Sequence, residues 1–577
     1  MDAWERFRLW TTDPGFDHET RDELLRIADQ PAQIEELFYR NLEFGTAGQR
    51  GIMGAGTNRI NVYTIAMTAT GFARELVAQG PDAMAAGIVV SYDSRRFSET
   101  FARITALVFA AHGVHVRLSD ELRPVPLLSF AIRYYHAAGG VMITASHNPA
   151  EYNGFKAYGP DGGQCPPETA DAIAARIDAI DDPTSIRYGT LEEAKASSLL
   201  VMVGAGLDDA YMAMLNRLAI NREAVHRNRD MKIVYTPLHG TGNKPVRRIL
   251  RESGFDSVLV VPEQEMPDPD FPTVKSPNPE ERSALALGIA LADREQADLV
   301  IATDPDADRM GLALRDATGA YMVLTGNQIG LLLMDYILSA KKTAGVLPDK
   351  SFCVTTIVST KLARRVAAFY GVTLMECLTG FKYIGELIKE HDENGDMHFQ
   401  FGFEESFGFL SGTDVRDKDA VVASMLAAEM AASARDRGMT LFDLLQDLFH
   451  RFGFASEKTL SISLASREGQ ERIQKVMESL RAGKSPVMAG LRILRIKDYL
   501  TSVETDFTAG TETPLDLPCS DVLLYEMEGL DWFCVRPSGT EPKIKIYTGA
   551  YDADETVCGS RLKAMLDALQ GYMDERL

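Results

Sequence analysis

The run Val141-Met142-Ile143-Thr144-Ala145-Ser146-His147-Asn148-Pro149 decides how the chain is read. Three apolar residues of a strand give way to a polar loop, and that loop sends out one serine, Ser146. The segment continues Tyr152-Asn153-Gly154-Phe155-Lys156, so a lysine lies ten residues after the serine. Sheets built from alternating strands and helices place their ligands at the carboxyl ends of strands. Ser146 stands at such an end.

Upstream, Ile88-Val89-Val90-Ser91 is a β-branched run followed by Asp93-Ser94-Arg95-Arg96 and a helix through Phe101, Ile104 and Leu107. Val114-His115-Val116 predicts a further strand. This alternation implies a mostly parallel sheet covered by helices. Before it, Phe44-Gly45-Thr46-Ala47-Gly48-Gln49-Arg50-Gly51 sets small residues around Arg50. Glycines let a backbone approach closely, which suits an anion-facing loop or a structural turn. Residues 1–40 read as helices, with Ile34, Leu37 and Phe38 on one face and Pro31 as a break.

Downstream, the polar stretch 181–205 marks a boundary. A second unit begins with the strand Lys232-Ile233-Val234-Tyr235 and the turn Leu238-His239-Gly240-Thr241-Gly242. It passes through the strand at 257–260, a Pro-rich loop at 262–279 and a helix around Leu285, Leu287 and Ile289. The strand Leu299-Val300-Ile301-Ala302 then delivers Asp304-Pro305-Asp306-Ala307-Asp308-Arg309. A third unit runs from a strand at 352–358 through a helix closed by Gly371. Its later strands end at Leu378-Thr379-Gly380-Phe381-Lys382 and at Glu404-Glu405-Ser406-Phe407-Gly408. Beyond about residue 456 a helix at 467–482 precedes strands of antiparallel character. There Arg536 turns through Pro537-Ser538-Gly539-Thr540-Glu541-Pro542 into the alternating strand Lys543-Ile544-Lys545-Ile546-Tyr547.

These rounds predict an α/β fold of three similar mixed-sheet α/β domains plus a C-terminal α+β domain. The division is a helical extension at 1–40, α/β domains at 41–205, 206–316 and 317–455, and the α+β domain at 456–577. A length of 577 residues agrees, since a prior of about 150 residues per domain gives roughly four. Hydrophobic content of 45% and charged content of 25% are those of a globular protein. The net charge of -22 argues against nucleic acid or an anionic membrane as partner. Six cysteines without a C-x-x-C pair give neither a disulfide framework nor a zinc site. The N-terminus lacks signal-peptide character, and no apolar run approaches the roughly 20 residues of a membrane span. A cytoplasmic location is expected.

Asp304, Asp306 and Asp308 stand at alternate positions after a strand, and carboxylate oxygens suit a hard divalent cation. An EF-hand loop is excluded, because its sixth position would be Arg309 and its twelfth Arg315. Without a cation, each pair of carboxylates at 4 Å repels by about 4 kcal/mol at an effective dielectric near 20. A solvated acidic turn is the plainer alternative.

Taken together, the Ser146 loop, the Asp304-Asp306-Asp308 loop, Glu404-Glu405-Ser406 and Arg536-Pro537-Ser538-Gly539-Thr540 resemble the α-D-phosphohexomutase superfamily, in that family's order and over residues 41–548. The extended N-terminus, Thr236-Pro237-Leu238-His239-Gly240 and Phe403–Gly408 are most similar to its branch of bacterial phosphoglucomutases and their phosphopentomutase-like relatives. The resemblance implies four domains around a central cleft and a phosphoserine at Ser146. One Mg²⁺ per chain would be held by Asp304, Asp306, Asp308 and the phosphoserine. Arg50 and Arg309 match positions near the transferring phosphoryl, and Lys156 a position associated with acid–base work. Glu404 and Ser406, with Thr379, Gly380 and Lys382, would take the sugar. Arg536, Ser538, Gly539, Thr540 and Lys543 would grip the phosphate that does not react. Where some relatives carry His in the two sugar-side loops, this chain has Phe381 and Gly408.

The implied activity is interconversion of glucose 1- and 6-phosphate, with glucose 1,6-bisphosphate as intermediate and activator, in a monomer or homodimer. Mannose or pentose phosphates, or synthesis of a sugar bisphosphate, stay open within the family, since pocket contacts discriminate by about 1–3 kcal/mol each. A metal-dependent phosphohydrolase and a sugar-phosphate sensor are the readings outside it. A serine hydrolase built on Ser146 and His147 lacks the G-x-S-x-G elbow, and adjacent side chains rarely bond in the geometry it needs.

Overall fold

Three sheets share one strand order. In the computed structural model, which describes residues 1–45, 48–464, 467–485, 487–537 and 543–576, the first sheet contains Tyr152–Tyr158, Gly139–Ile143, Ile88–Tyr92 and Val116–Ser119 as neighbours in that order. The second repeats it with Met310–Arg315, Leu299–Thr303, Lys232–Thr236 and Ser257–Val260. The third does so with Gly408–Leu410, His398–Glu404, Ser351–Thr356 and Thr373–Cys377. In each set of four, three strands are parallel and the first named is antiparallel to its neighbour. The loop that carries chemistry always joins the parallel strand to this antiparallel neighbour. The sheets are therefore mixed, a parallel core of strands with antiparallel strands added on one side. Gln49–Ile52 adds to the first sheet beside Tyr152–Tyr158, which brings Arg50 opposite Gly154.

The helix Ala420–Arg435 shows why the units pack closely. It is apolar on every side, and such a helix must be buried; each residue from Ala420 to Ala434 is. It packs against the helix Asn243–Ser253 and the strand Met310–Arg315 of the second unit, and against Gly408–Leu410 of the third. Asp419 caps it, accepting from Val421 N at 2.8 Å and Val422 N at 2.9 Å. That cap fixes the residue before it, Lys418, at the junction of the sheets.

The three N-terminal helices, Ala3–Thr12, His18–Leu25 and Pro31–Phe38, form a small aromatic core of Phe7, Trp10, Phe16 and Phe38. They hold the segment after Arg50: Ala55 N donates to Glu23 at 3.0 Å and Tyr63 OH to Asp17 at 2.8 Å. Among the described residues the last sheet has seven strands, all antiparallel, with the helices Arg467–Ala482 and Glu555–Asp574 against it. It is tied to the third unit where Asn327 Nδ2 donates to Glu457 at 2.6 Å. Among the described residues, no helix is long and apolar enough to cross a membrane.

Candidate active site

Ser146 leaves its strand with a φ of 51°, a left-handed conformation that costs a non-glycine residue about 1–2 kcal/mol. The turn is stabilised by Ser146 N donating to Thr144 Oγ1 at 2.8 Å. It aims the side chain across the domain boundary, where Ser146 Oγ donates to Asp304 Oδ2 at 2.9 Å. His147 Nδ1 also lies 3.2 Å from Ser146 Oγ, a contact not expected of neighbouring side chains. Burial, then the charges of Arg309 and Arg50, push the pKa of His147 well below the ordinary imidazole value.

The aspartate loop is built by backbone from several elements. Thr241 N and Thr241 Oγ1 donate to the carbonyl of Pro305 at 2.8 and 2.9 Å. Val125 N reaches the carbonyl of Asp306 at 2.9 Å, and Ala420 N that of Ala307 at 3.2 Å. Gly240 is required here, since a Cβ would stand 2.4 Å from Pro305 Cα. So held, Asp304, Asp306 and Asp308 are all buried, with one oxygen of each within 4.8 Å of the others.

Their oxygens divide into two sets. Asp304 Oδ1 accepts from the amides of Asp308 and Arg309 at 3.1 and 3.0 Å. Asp306 Oδ2 accepts from Lys156 Nζ at 2.7 Å. Asp308 Oδ2 meets Lys156 Nζ at 3.3 Å and Lys418 Nζ at 3.2 Å. Asp306 Oδ1 and Asp308 Oδ1 are buried without a hydrogen-bond partner. Burial, and after it the charges of Asp306 and Asp308, raise the pKa of Asp304 well above the carboxylate range. Two orphaned carboxylate oxygens beside a repelled third carboxylate fit a divalent cation, which takes oxygen ligands and supplies the missing charge.

Cations ring the triad. Burial alone would lower the pKa of Lys156, but Asp306 and Asp308 outweigh it and hold the ammonium above its ordinary value. Lys418 is likewise raised against burial, by Asp308 and Asp417. Asp308 itself is held below the carboxylate range despite burial, by Lys418, Lys156 and Arg309. Arg309 Nη1 donates to Glu280 Oε1 at 2.5 Å and so stands over the loop. Arg50 Nη1 reaches Asn148 Oδ1 at 2.8 Å, beside the serine.

Lys418 was not singled out from the sequence. The signal was present in Arg416-Asp417-Lys418-Asp419, a charged run opening a helix whose apolar composition demands burial. Such charges must be paired, and they are: Lys418 Nζ meets Asp417 Oδ1 at 3.1 Å, while Asp417 Oδ2 accepts from Tyr158 OH and Gln164 Nε2, both at 3.0 Å.

Ser146, Lys156, Arg50, Arg309 and the three aspartates thus share one site. Glu404 is buried close by, on the strand next to Gly408, which bridges to Arg309. Its charge acts on both Arg309 and Lys418. Ser406 lies in the same loop, half-buried. Thr379 and Gly380 precede the helix Phe381–Asn394, with Gly380 at a φ of 123°. Lys382 Nζ lies 4.7 Å from the Tyr383 ring centroid, and Tyr383 feels the charge of Arg536 across the domain boundary. Arg536 and Lys543 are half-buried at the facing ends of paired strands. Ser538, Gly539 and Thr540 lie outside the described residues. Among the described residues no hydrogen bond or ion pair joins Thr379, Lys382 or Arg536 to the serine–aspartate group.

Comparison with known proteins gives the same picture. Family models described as phosphoglucomutase/phosphomannomutase α/β/α domains I, II and III match residues 41–184, 209–319 and 325–452. Phosphoglucomutase of Staphylococcus epidermidis is 39% identical over 88% of this chain and 90% of its own. That of Staphylococcus aureus is 37% identical over 93% and 95%. Parafusin of Paramecium, a phosphoglucomutase in its open form, shares the fold with a TM-score of 0.67 at 17% identity, over 92% of this chain and 95% of that one. With its triad of α/β domains and this degree of identity over nearly its whole length, the chain belongs to the phosphoglucomutase/phosphomannomutase family of α-D-phosphohexomutases.

Proposed function

We propose that this isomerase-class phosphotransferase interconverts glucose 1-phosphate and glucose 6-phosphate, with Ser146 as phosphoryl carrier and glucose 1,6-bisphosphate as intermediate. The observation that carries the reading is the hydrogen bond from Ser146 Oγ to Asp304 Oδ2 at 2.9 Å, inside a buried carboxylate trio that has two unpartnered oxygens. A hydrolase site would have to offer water the place that this serine fills. The sheet memberships fit a helical extension at 1–40 and domains near 41–205, 206–316, 317–455 and 456–577 with two corrections: Tyr321–Val323 pairs into the second sheet, so that domain runs past 316, and Phe454–Ser463 opens the last sheet, so that domain begins before 456.

Phosphoryl transfer depends on in-line positioning and on neutralising charge spread over the phosphoryl oxygens. Asp304, Asp306 and Asp308, with an oxygen on Ser146, would hold Mg²⁺, which supplies positive charge to the transferring group. Arg50 and Arg309 flank the serine and stabilise the same oxygens. Lys156, held in its charged form by Asp306 and Asp308, acts as counter-charge and as a proton donor to the serine oxygen when it leaves, and the proton released by the attacking sugar hydroxyl restores the ammonium. Glu404 and Ser406 accept and donate to sugar hydroxyls, with Thr379, Gly380 and Lys382 on the neighbouring loop of the same sheet. Arg536 and Lys543, together with Ser538, Gly539 and Thr540, clamp the distal phosphate. Because that clamp reads phosphate rather than sugar, the bisphosphate is accepted in either orientation, and its second phosphoryl returns to Ser146.

Intact-mass analysis after incubation with glucose 1,6-bisphosphate tests the reading. One added phosphate, mapped to Ser146 and lost on addition of glucose 6-phosphate, is expected. Ser146→Ala should fold normally, take up no phosphate and lose isomerisation; near-normal turnover in that variant would end the proposal.

A further inference from the structure

Two segments stand out in the sequence without a place in the chemistry above: Asp93-Ser94-Arg95-Arg96 and the Pro-rich loop at 262–279. The structure brings both onto the back of the Ser146 loop. The Arg95 side chain is wholly buried and lies under the turn, where its guanidinium gathers four backbone carbonyls. Nη1 donates to Pro149 O at 2.8 Å and Tyr152 O at 3.0 Å, and Nη2 to the carbonyls of Ser146 and Asn148. Nε faces Asp93 Oδ2 at 3.3 Å.

Asp93 is built into the same turn. Its Oδ2 accepts from Thr144 Oγ1 at 2.7 Å, and that oxygen in turn accepts from Ser146 N. Its Oδ1 accepts from Arg95 N at 2.9 Å and Ser98 Oγ at 2.7 Å. The second unit closes over this arrangement. The Phe271 ring, buried, lies 5.0 Å from the Arg95 guanidinium carbon. Asp270 pairs with Arg96, and Ser276 Oγ donates to His147 O at 2.7 Å.

From this geometry we infer that Arg95 is the positioning residue of the phosphoryl-carrying serine, and that the 262–279 loop is a strap from the neighbouring domain that fixes the same turn. The inference rests on Ser146 as carrier. The physical reason is the backbone conformation: Ser146 sits at a φ of 51°, which serine does not favour by itself. In that conformation the carbonyls of Ser146, Asn148, Pro149 and Tyr152 converge on one point. A planar fork of five donors can satisfy such a cluster, and the point charge of a lysine cannot. Arg95 touches no reacting atom. It acts through the turn, and its loss lets the serine oxygen wander from Asp304; in-line transfer is intolerant of displacements of about 1 Å.

The test compares wild type, Arg95→Lys and Ser276→Ala, each full-length. Three measurements are made: steady-state kinetics, single-turnover transfer of labelled phosphate from the enzyme to glucose 6-phosphate, and hydrogen exchange of the amides at 145–149. Arg95→Lys should lower kcat and the single-turnover rate about 100-fold, with KM within about twofold. Loop amides should exchange more than tenfold faster, while those of Gly139–Ile143 are unchanged. Ser276→Ala, which removes one donor from the turn, should fold as wild type, lower kcat about fivefold and speed loop exchange. If Arg95→Lys folds and both its transfer rate and loop exchange match wild type, the inference fails. If it does not fold, Ser276→Ala decides alone, and unchanged transfer with unchanged exchange overturns the inference. Wild-type enzyme that never carries phosphate on Ser146 would instead sink the carrier reading, and loop exchange would still decide whether Arg95 orders the turn.

Discussion

Replacing Lys418 by Met tests whether the buried lysines are counter-charges for the aspartate trio. Lys418 Nζ lies 3.2 Å from Asp308 Oδ2 and 3.1 Å from Asp417 Oδ1. At an effective dielectric near 20, each contact is worth about 5 kcal/mol before desolvation. Returning a buried ammonium to water recovers several kcal/mol, which is why breaking a buried pair costs roughly 3–5 kcal/mol rather than ten. The structure favours the lower end. Asp417 keeps Tyr158 OH and Gln164 Nε2 as donors, and Asp308 keeps Lys156 at 3.3 Å. A loss of about 3 kcal/mol corresponds to about 6–12 °C in the melting of the units concerned, at 2–4 °C per kcal/mol.

The diagnostic part is the dependence on metal. With Lys418 gone, one competing cation leaves Asp308, so Mg²⁺ should bind at least about tenfold more tightly, or 1.4 kcal/mol. Saturating Mg²⁺ should accordingly restore part of the lost thermal stability. The assay is calorimetric Mg²⁺ titration of dephosphorylated wild type and variant, with thermal melts in chelator and in excess Mg²⁺. Melting within about 2 °C of wild type in chelator, with equal Mg²⁺ affinity, would refute the view that Lys418 balances the trio.

Two further outcomes follow from other parts of the frame. Gly240→Ala would force a Cβ to within 2.4 Å of Pro305 Cα and 2.6 Å of its carbonyl, so the aspartate loop must shift. Its Mg²⁺ requirement, read from activity against metal concentration, should rise about tenfold, whereas Gly206→Ala, where a Cβ meets nothing within 4 Å, should leave it unchanged. Asp419 gives a pH dependence: burial pushes its carboxyl up to about 6, against hydrogen bonds from Val422 N and Tyr211 OH. Its folded pKa exceeds the unfolded value near 3.9, so the stability it contributes is complete below that value and is lost as pH rises through 6, by about 3 kcal/mol. Asp419→Asn should therefore gain in melting temperature relative to wild type between pH 4.5 and 7.5, and an equal offset at both would contradict the assignment.

What could be read from the sequence followed from local pattern. The three βα rounds are legible because β-branched runs alternate with amphipathic helices, and the triad because Asp304, Asp306 and Asp308 end an apolar strand. The shared strand order of the three sheets was not legible, since it is repeated in topology without repeated residues. Lys418 was missed for a physical reason: four successive charges read as solvated until the helix behind them is seen to be enclosed. The bond between His147 and Ser146 Oγ was unexpected because neighbouring side chains usually diverge. It becomes possible here only because the left-handed turn at Ser146 re-aims both.

The overall charge of -22 raises the question of how a doubly charged phosphosugar is taken up at all. The answer lies in range. Exposed carboxylates act through water and are screened beyond about 8 Å at physiological ionic strength. The cleft cations act at contact distance and are poorly screened. Within the site, Arg50, Lys156, Arg309 and Lys418 face Asp304, Asp306, Asp308 and Glu404 together with Glu280 and Asp417, so carboxylates outnumber cations. Two elementary charges added at the trio would offset that excess, so the site could receive a phosphoryl group with the metal bound without attracting one when the metal is absent. Had the sequence placed its surplus lysines on the surface instead, it would have gained non-specific affinity for polyanions and nothing at the serine. Concentrating cations around the aspartate loop, with Arg50 and Lys156 on two paired strands, Arg309 in the loop itself and Lys418 just before a buried helix, lets an acidic protein handle an acidic substrate.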